Sequence, residues 1–247
     1  MKKINIISPF DKSLNFELNW NPSTFKPTAT SNFLIKAICS SLKKPVENLL
    51  DLGCGIGVVG ICLMKHKIAK NLFASDLSSE AVTLTKKNCI HNNIVVDCRT
   101  SDVFNSWKNY KFDVIADDIS GIAQEISEIS NWFNNVPSNS GSDGTRNTVL
   151  VIKAAKNFLK SNGALYFPVI SLSNTKKILK IARGEFDTVT KISSNSWFLP
   201  DEMMKYIDFF KLQAYKGNIH FEQKFGKIIC YTDIYEAKNT KKINAKL

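Results

Sequence analysis

The sequence predicts an α/β fold: a mostly parallel β-sheet covered by helices on both faces. Three observations predict it. From residue 48 onward, short apolar runs alternate with helix-length amphipathic stretches, the pattern of βαβ units. The first apolar run ends in a glycine-rich turn, "LLDLGCGIGVVG" at 49–60, where a buried strand hands over to a helix. The ending breaks the alternation: two β-rich stretches, 187–199 and 226–237, have no usual helical crossover between them, which predicts an antiparallel pair.

Each element follows in turn. "ENLLDLG" is a buried strand, "VVGICLMKHKIA" a helix, and "NLFASD" a second strand ending in an acid. "SSEAVTLTKKNCIHNN" is a helix with Ser78 or Ser79 as N-cap. "IVVDCRTSD" and "KFDVIADD" are the third and fourth strands. In "ISGIAQEISEIS" the apolar residues Ile119, Ile122, Ile126 and Ile129 recur at spacings of three and four, which predicts a helix starting near Ile119. "PSNSGSDGT" is a loop, and "NTVLVIKAAKNFLKSNG" a helix closed by Gly163 as its C-cap. "ALYFPVIS" is the fifth strand, with Pro168 near its end, and "NTKKILKIARGEF" a further helix. The expected organisation is an extension at 1–47, packing on the side where ligands bind, and a main domain at 48–247 with an insertion at about 199–225. That insertion is rich in Met, Phe and Tyr; Met203 to Tyr215 suits either a lid or ordinary packing.

Composition excludes several classes. The chain has 247 residues and is 44% hydrophobic, enough for one sizeable buried core. No run approaches the ~18 apolar residues of a membrane span. The first twenty residues have no apolar core of a secretory signal. The six cysteines are scattered without a C-x-x-C, so they read as reduced thiols and the expected location is the cytoplasm. The three histidines are isolated, and no metal is expected. The net charge of +11 suggests a nucleic-acid partner. Yet the lysines are dispersed, and residues 101–150 hold seven acidic and three basic residues.

The glycine turn admits two readings. From Gly55 it spells G-x-G-x-x-G, the dinucleotide fingerprint of an NAD(P)-binding dehydrogenase. From Asp51 it spells D-x-G-x-G-x-G through Gly53, Gly55 and Gly57, with Cys54 as a small residue that fits. A carboxylate just ahead of the turn is poor company for a diphosphate. It suits a cationic ligand such as S-adenosylmethionine, which carries a sulfonium and an ammonium group. Asp76 ends the second strand, where an acid can accept from two ribose hydroxyls. Asp102, preceded by Ser101, ends the third and can accept from an adenine amino group. Leu77 and Val103 follow those acids and belong to the same expected cofactor set. Each acid has a purely structural alternative: turn stabiliser, helix cap, or ordinary strand end. Their joint appearance at three successive strand ends favours a ligand with a ribose, an amine and no phosphate.

These motifs resemble the class I S-adenosylmethionine-dependent methyltransferases. "LLDLGCGIG" resembles their first motif, "FASDLSSEAVTLTKKNCIHNNI" the second and "RTSDVF" the third, over about residues 25–197. The resemblance implies a Rossmann-like seven-stranded sheet whose last two strands are an antiparallel pair. Within the class, the sequence resembles the branch of release-factor glutamine N5-methyltransferases. "STFKPTATSNFLIKAI" resembles the stretch that puts a Phe, a Pro and a Thr near the cofactor, here Phe25, Pro27 and Thr28. The fourth motif departs. The branch reads Asn-Pro-Pro-Tyr, whereas "ADDISG" puts Asp118 at the position that binds the methylated nitrogen, followed by Ile119, Ser120 and Gly121. The branch's glutamine and adenine substrates therefore do not carry over.

The site expectations follow. Asp118 meets the acceptor, Asp117 lies near the cofactor, and one of the two caps the helix after them. Ser120, Trp132, Phe133 and Phe25 line the acceptor pocket. The expected reaction is methyl transfer to nitrogen, with oxygen second, on a small molecule or a protein side chain, since acidic 101–150 repels a polyanion. An RNA acceptor is the alternative, and neither a membrane nor any particular oligomeric state is implied.

Overall fold

Leu49 and Leu50 are both fully buried although neighbouring strand residues face opposite ways, so the strand that carries them is covered on both faces. The computed structural model describes residues 2–133, 136 and 138–239; Pro137 of the predicted loop and the end of the predicted domain at 240–247 lie outside them.

The chain opens with a hairpin of β1 (Lys2–Ile7) and β2 (Asn15–Trp20), whose inward Phe16 and Leu18 are buried. Helix α1 (Ala29–Ser41) follows. Then come β3 (Val46–Leu52), α2 (Val58–Lys65), β4 (Ala69–Asp76), α3 (Ser79–His91), β5 (Val96–Thr100) and β6 (Phe112–Asp117). The second half comprises α4 (Gln124–Ile129), α5 (Arg146–Ala155), β7 (Leu159–Ile170), α6 (Thr175–Glu185), β8 (Thr188–Phe198), α7 (Ile207–Tyr215), β9 (Glu222–Lys224) and β10 (Lys227–Lys238). A 3-10 turn, Asp201–Tyr206, precedes α7.

The main path through the sheet has seven strands, in the order β5-β4-β3-β6-β7-β10-β8, and the short β9 adds to β10. The first five are parallel, and β10 runs antiparallel to both β7 and β8. From β3 the chain builds outward to β4 and β5, then crosses to β6 and β7. The switch point therefore lies between β3 and β6, and a ligand crevice is expected beyond their C-terminal ends. One face of the sheet packs Leu49, Leu72 and Val114 against α1 and α2. The other packs Leu50, Leu52 and Ile115 against Val151 and Ile152 of α5 and Ile178 and Ala182 of α6. Asn88 of α3 ties the hairpin down: its Oδ1 accepts from Asn19 N at 2.8 Å, and its Nδ2 donates to Asn19 O and to Ile56 O in the glycine turn.

Three sequence expectations are corrected. The helix expected from Ile119 starts only at Gln124, its N-cap is Ala123, and neither Asp117 nor Asp118 caps it. The helix expected over 147–163 ends at Ala155, and β7 begins at Leu159 because Leu159 pairs with Phe112. Gly163 is therefore no C-cap. It lies inside β7 where the register against β6 shifts, and a Cβ there would stand 2.7 Å from Phe112 O. Ser78 is the N-cap of α3, accepting from Ala81 N at 3.3 Å.

Candidate active site

A cavity of about 480 Å3 opens beyond the C-terminal ends of β3, β4 and β6. It is walled by the glycine turn, by the segment leading into α1, and by the loops after β4, β5 and β6. It continues over Ile170, Thr232 and Asn195 of β7, β10 and β8. Those three lie in one row across the sheet, Thr232 pairing with Ile170 on one side and Asn195 on the other.

The turn is held open by backbone geometry. Gly55 has φ +53°, and a Cβ there would meet nothing within 4 Å. Its amide points back and donates to Asp76 Oδ2 at 2.9 Å. Gly60, in the first turn of α2, needs its bareness for another reason: a Cβ would come within 2.9 Å of both Asp51 Oδ2 and Leu72 Cδ1. Gly60 N donates to Asp51 Oδ2 at 2.8 Å. A diphosphate at a helix N-terminus is held by amides of the first turn. Here one such amide is already taken by a carboxyl group, so Asp51 does what the structural alternative expected of it, stabilising the turn from beneath.

Four acids gather round the turn. Asp76 lines the cavity, with Oδ1 fixed by Ser78 N and Oδ2 by Gly55 N, each at 2.9 Å. Burial raises it above the usual carboxylate range, against those backbone bonds. Asp118 lines the cavity just past the end of β6; Ser31 Oγ donates to its Oδ2 at 2.7 Å. Burial pushes Asp118 up to about 7, and the Ser31 bond opposes that rise. Asp51 and Asp117 are not on the wall. Asp51 is 1% exposed beneath the turn, and its Oδ1 has no partner. Burial pushes it to about 8, with the charges of Asp118 and Asp76 adding to the rise. Asp117 accepts from Ile119 N at 3.1 Å and is pushed by burial to about 8, Asp118 contributing. No cation appears among the causes of any of these shifts, and no lysine, arginine or histidine lines the cavity among the described residues.

Of the other expected residues, Phe25, Thr28, Gly53, Cys54, Leu77, Ser101, Asp102, Val103, Ser120 and Trp132 all line the cavity. Ser101 spends its hydroxyl on the loop, donating to Val103 O and accepting from Ser106 N. That shapes the turn in which Val103 takes a positive φ of 48°. Cys54 is buried, and its thiol is raised well above the usual value by neighbouring Cys98 and by burial, so it is no nucleophile. Met203 and Phe210 of the insertion pack against Ile122 and Ile126 rather than into the cavity wall.

Sequence reasoning missed Ser31, Asn195, Trp197 and Thr232, all at the wall. Ser31 carried a signal, standing three residues after Thr28 and so on the same helix face. The others carried none, because nothing local says that β8 and β10 reach the cavity.

The residues suit S-adenosylmethionine. Asp76 and Asp102 offer acceptors to hydroxyl or amino groups, and the orphaned Asp51 Oδ1 beneath the turn is a buried acceptor awaiting a donor. The cluster of acids without cations complements a positively charged ligand.

Comparison with known proteins agrees. The family model for the methyltransferase small domain matches residues 23–118. A putative protein N5-glutamine methyltransferase of Methanocaldococcus jannaschii is 28% identical over 163 residues, covering 66% of this chain and 80% of that one. The release factor glutamine methyltransferase of Agrobacterium fabrum is 25% identical, over 60% of this chain and 55% of its own. The ribosomal RNA small subunit methyltransferase C of Haemophilus ducreyi is 29% identical, over 69% and 47%. The chain spans only 30% of a bifunctional methyltransferase of Rickettsia prowazekii. Among solved structures, the 16S rRNA N2 G1207 methyltransferase of T. Thermophilus, in complex with AdoMet and guanosine, superposes with a TM-score of 0.61 at 12% identity, covering 96% of this chain and 50% of that one. The ribosomal protein L11 methylase of Lactobacillus delbrueckii subsp. bulgaricus gives 0.53 at 17% identity, over 87% and 82%. These two likenesses are of fold alone.

Proposed function

We propose that this chain, an S-adenosylmethionine-dependent methyltransferase with a methyltransferase small domain, moves its methyl group to a nitrogen of a small molecule or a protein side chain. The observation that carries the acceptor reading is Asp118. It stands on the cavity wall at the switch point, ionisable near neutrality, and is oriented by Ser31. One relative is named as a putative protein N5-glutamine methyltransferase, which supports nitrogen as the acceptor element.

When bound, S-adenosylmethionine supplies an electrophilic methyl group on a sulfonium. The chain's own residues have three tasks. The turn from Gly53 to Ile56 brings backbone up to the ligand, whereas Gly57, expected in the same set, stands off the cavity wall and faces Ile61 and Thr85. Asp76 and Asp102 accept from its polar edge, and Asp51 holds the turn from below through Gly60 N. Asp118 accepts a hydrogen bond from the acceptor nitrogen, aims its lone pair and takes its proton. Alignment is the larger part of such catalysis, since in-line displacement needs little else from the protein. Asp117, its carboxyl bound to Ile119 N, acts by fixing the backbone that presents Asp118.

The test is labelled methyl transfer from S-adenosylmethionine into fractionated extract, with calorimetry against NAD as a control. Label in the small-molecule or protein fraction is expected. Label in RNA, with binding that falls steeply as salt rises, would transfer the reading to the alternative that the +11 charge favours. NAD binding without S-adenosylmethionine binding would end the methyltransferase reading.

A further inference from the structure

The acceptor end of the cavity has walls that the turn and its acids do not explain. Phe25 comes from the segment before α1, Trp132 and Phe133 from the segment after α4, and Trp197 from β8; all four line the cavity. Trp132 and Trp197 meet with ring centroids 6.0 Å apart and planes at 78°. Phe25 and Phe133 meet at 5.2 Å and 46°. Rings that meet this way form corners. They do not form the parallel slot in which a planar amide or a nucleobase stacks. A rounded cation lying against two ring faces fits a corner, because each face carries the negative side of the ring quadrupole. Trp197 is fixed in this pose by its Nε1, which donates to Thr232 Oγ1 at 3.0 Å. The wall of the same cavity also carries the Asp118 carboxyl and, among the described residues, no basic side chain.

We propose that this aromatic corner binds an alkylammonium group, so that the methyl acceptor is an aliphatic amine and Trp132 and Trp197 set that specificity. The inference rests on the methyltransferase reading above. The chemistry balances without a further reactant. The bound ammonium gives one proton to the Asp118 carboxylate and becomes a neutral amine. The amine lone pair forms the new N–C bond while the methyl–sulfur bond breaks, its electron pair staying on sulfur, which loses its charge. Asp118 then releases its proton to water. The product is an N-methylammonium, still a cation and still complementary to the same rings, so the corner also accommodates a second round.

The test is calorimetry on the full chain saturated with S-adenosylhomocysteine, with choline, the neutral isostere of choline that has carbon in place of nitrogen, and adenosine as probes. Choline is expected to bind at least about ten-fold more tightly than the isostere. Trp197→Leu and Trp132→Leu should each weaken choline binding by roughly three- to thirty-fold. Their affinity for S-adenosylhomocysteine should stay unchanged, which also reports that both variants fold. Equal binding of choline and its isostere by a chain that holds S-adenosylhomocysteine overturns the inference alone, as does tighter binding of adenosine than of choline. Failure to bind S-adenosylhomocysteine removes the methyltransferase reading, and the amine with it.

Discussion

Replacing Ser31 by alanine removes the hydroxyl that donates to Asp118 Oδ2 at 2.7 Å and changes little else, since Ser31 is 1% exposed on a helix that alanine suits. Burial pushes Asp118 to about 7, and this bond restrains it from going further. A hydrogen bond to a charged group contributes about 1.5–3 kcal/mol. One pKa unit corresponds to about 1.4 kcal/mol, so the variant's Asp118 should sit about 1–2 units higher. Asp118 takes a proton only as the carboxylate. In the parent protein, kcat/KM therefore rises with pH through about 7 and levels off above it. In Ser31→Ala the rise moves to about pH 8–9. At pH 7 the ionised fraction falls from about a half to between about a tenth and a hundredth, a loss of roughly 5- to 50-fold. The plateau at high pH should be nearly unchanged. The bound sulfonium and the acceptor's own ionisation affect both proteins alike, so the difference between the profiles survives them. The assay is kcat/KM for labelled methyl transfer between about pH 6 and pH 10. A drop of equal size at every pH, or a profile that does not move, would refute the role given to Asp118 and Ser31.

Three further outcomes are expected. Asp118→Asn should lower kcat by about 10²- to 10⁴-fold while S-adenosylhomocysteine affinity stays within a few-fold, and full turnover would contradict its place at the acceptor. Asp51 is raised from 3.8 to about 8, so between those values the folded chain holds a proton that the unfolded chain has released, and ligand-free stability falls as pH rises through that window. Asp51→Asn should remove Asp51's share of that fall, to which the raised Asp76, Asp117 and Asp118 also contribute, raise the thermal midpoint at pH 8 by about 2–4 °C per kcal/mol recovered, and weaken S-adenosylmethionine binding; an unchanged midpoint there would show that the carboxyl is not buried as described. Gly60→Ala forces a Cβ to within 2.9 Å of Asp51 Oδ2 and should cost about 1–3 kcal/mol in urea unfolding, so a parent-like midpoint would count against the close approach.

Much of the fold was legible because its signals are local. The continuous apolar run of β3 announces a strand buried on both faces, and Asp51 ahead of the glycines separates the two ligand readings. The adjacent acids at the end of β6 illustrate a signal present but unread. Neighbouring strand residues face opposite ways, so Asp117 and Asp118 were never both going to reach the cavity. What stayed hidden was decided by tertiary pairing. "KNFLKSNG" suits a helix by propensity, yet Leu159 is drawn into the sheet by Phe112, and Gly163 answers to the backbone of β6. Asn195, Trp197 and Thr232 reach the site only because β10 joins β8 to β7, an alignment of residues far apart in sequence.

That joining strand also sets the order in which the molecule can be assembled. Among the described residues β8 is hydrogen-bonded to β10 alone, yet β8 is synthesised first. Forty residues separate the end of β8 at Phe198 from the end of β10 at Lys238. At about 5–20 residues per second the ribosome needs about 2–8 s to make them. For that interval the emerging chain carries an orphan strand bearing Trp197 and Phe198, a ready template for mispairing. The parallel half can settle as it appears, but the wall that Trp197 and Thr232 form must wait until β10 has been made. A nascent chain halted within those forty residues should be trapped by chaperones with its cofactor half already folded.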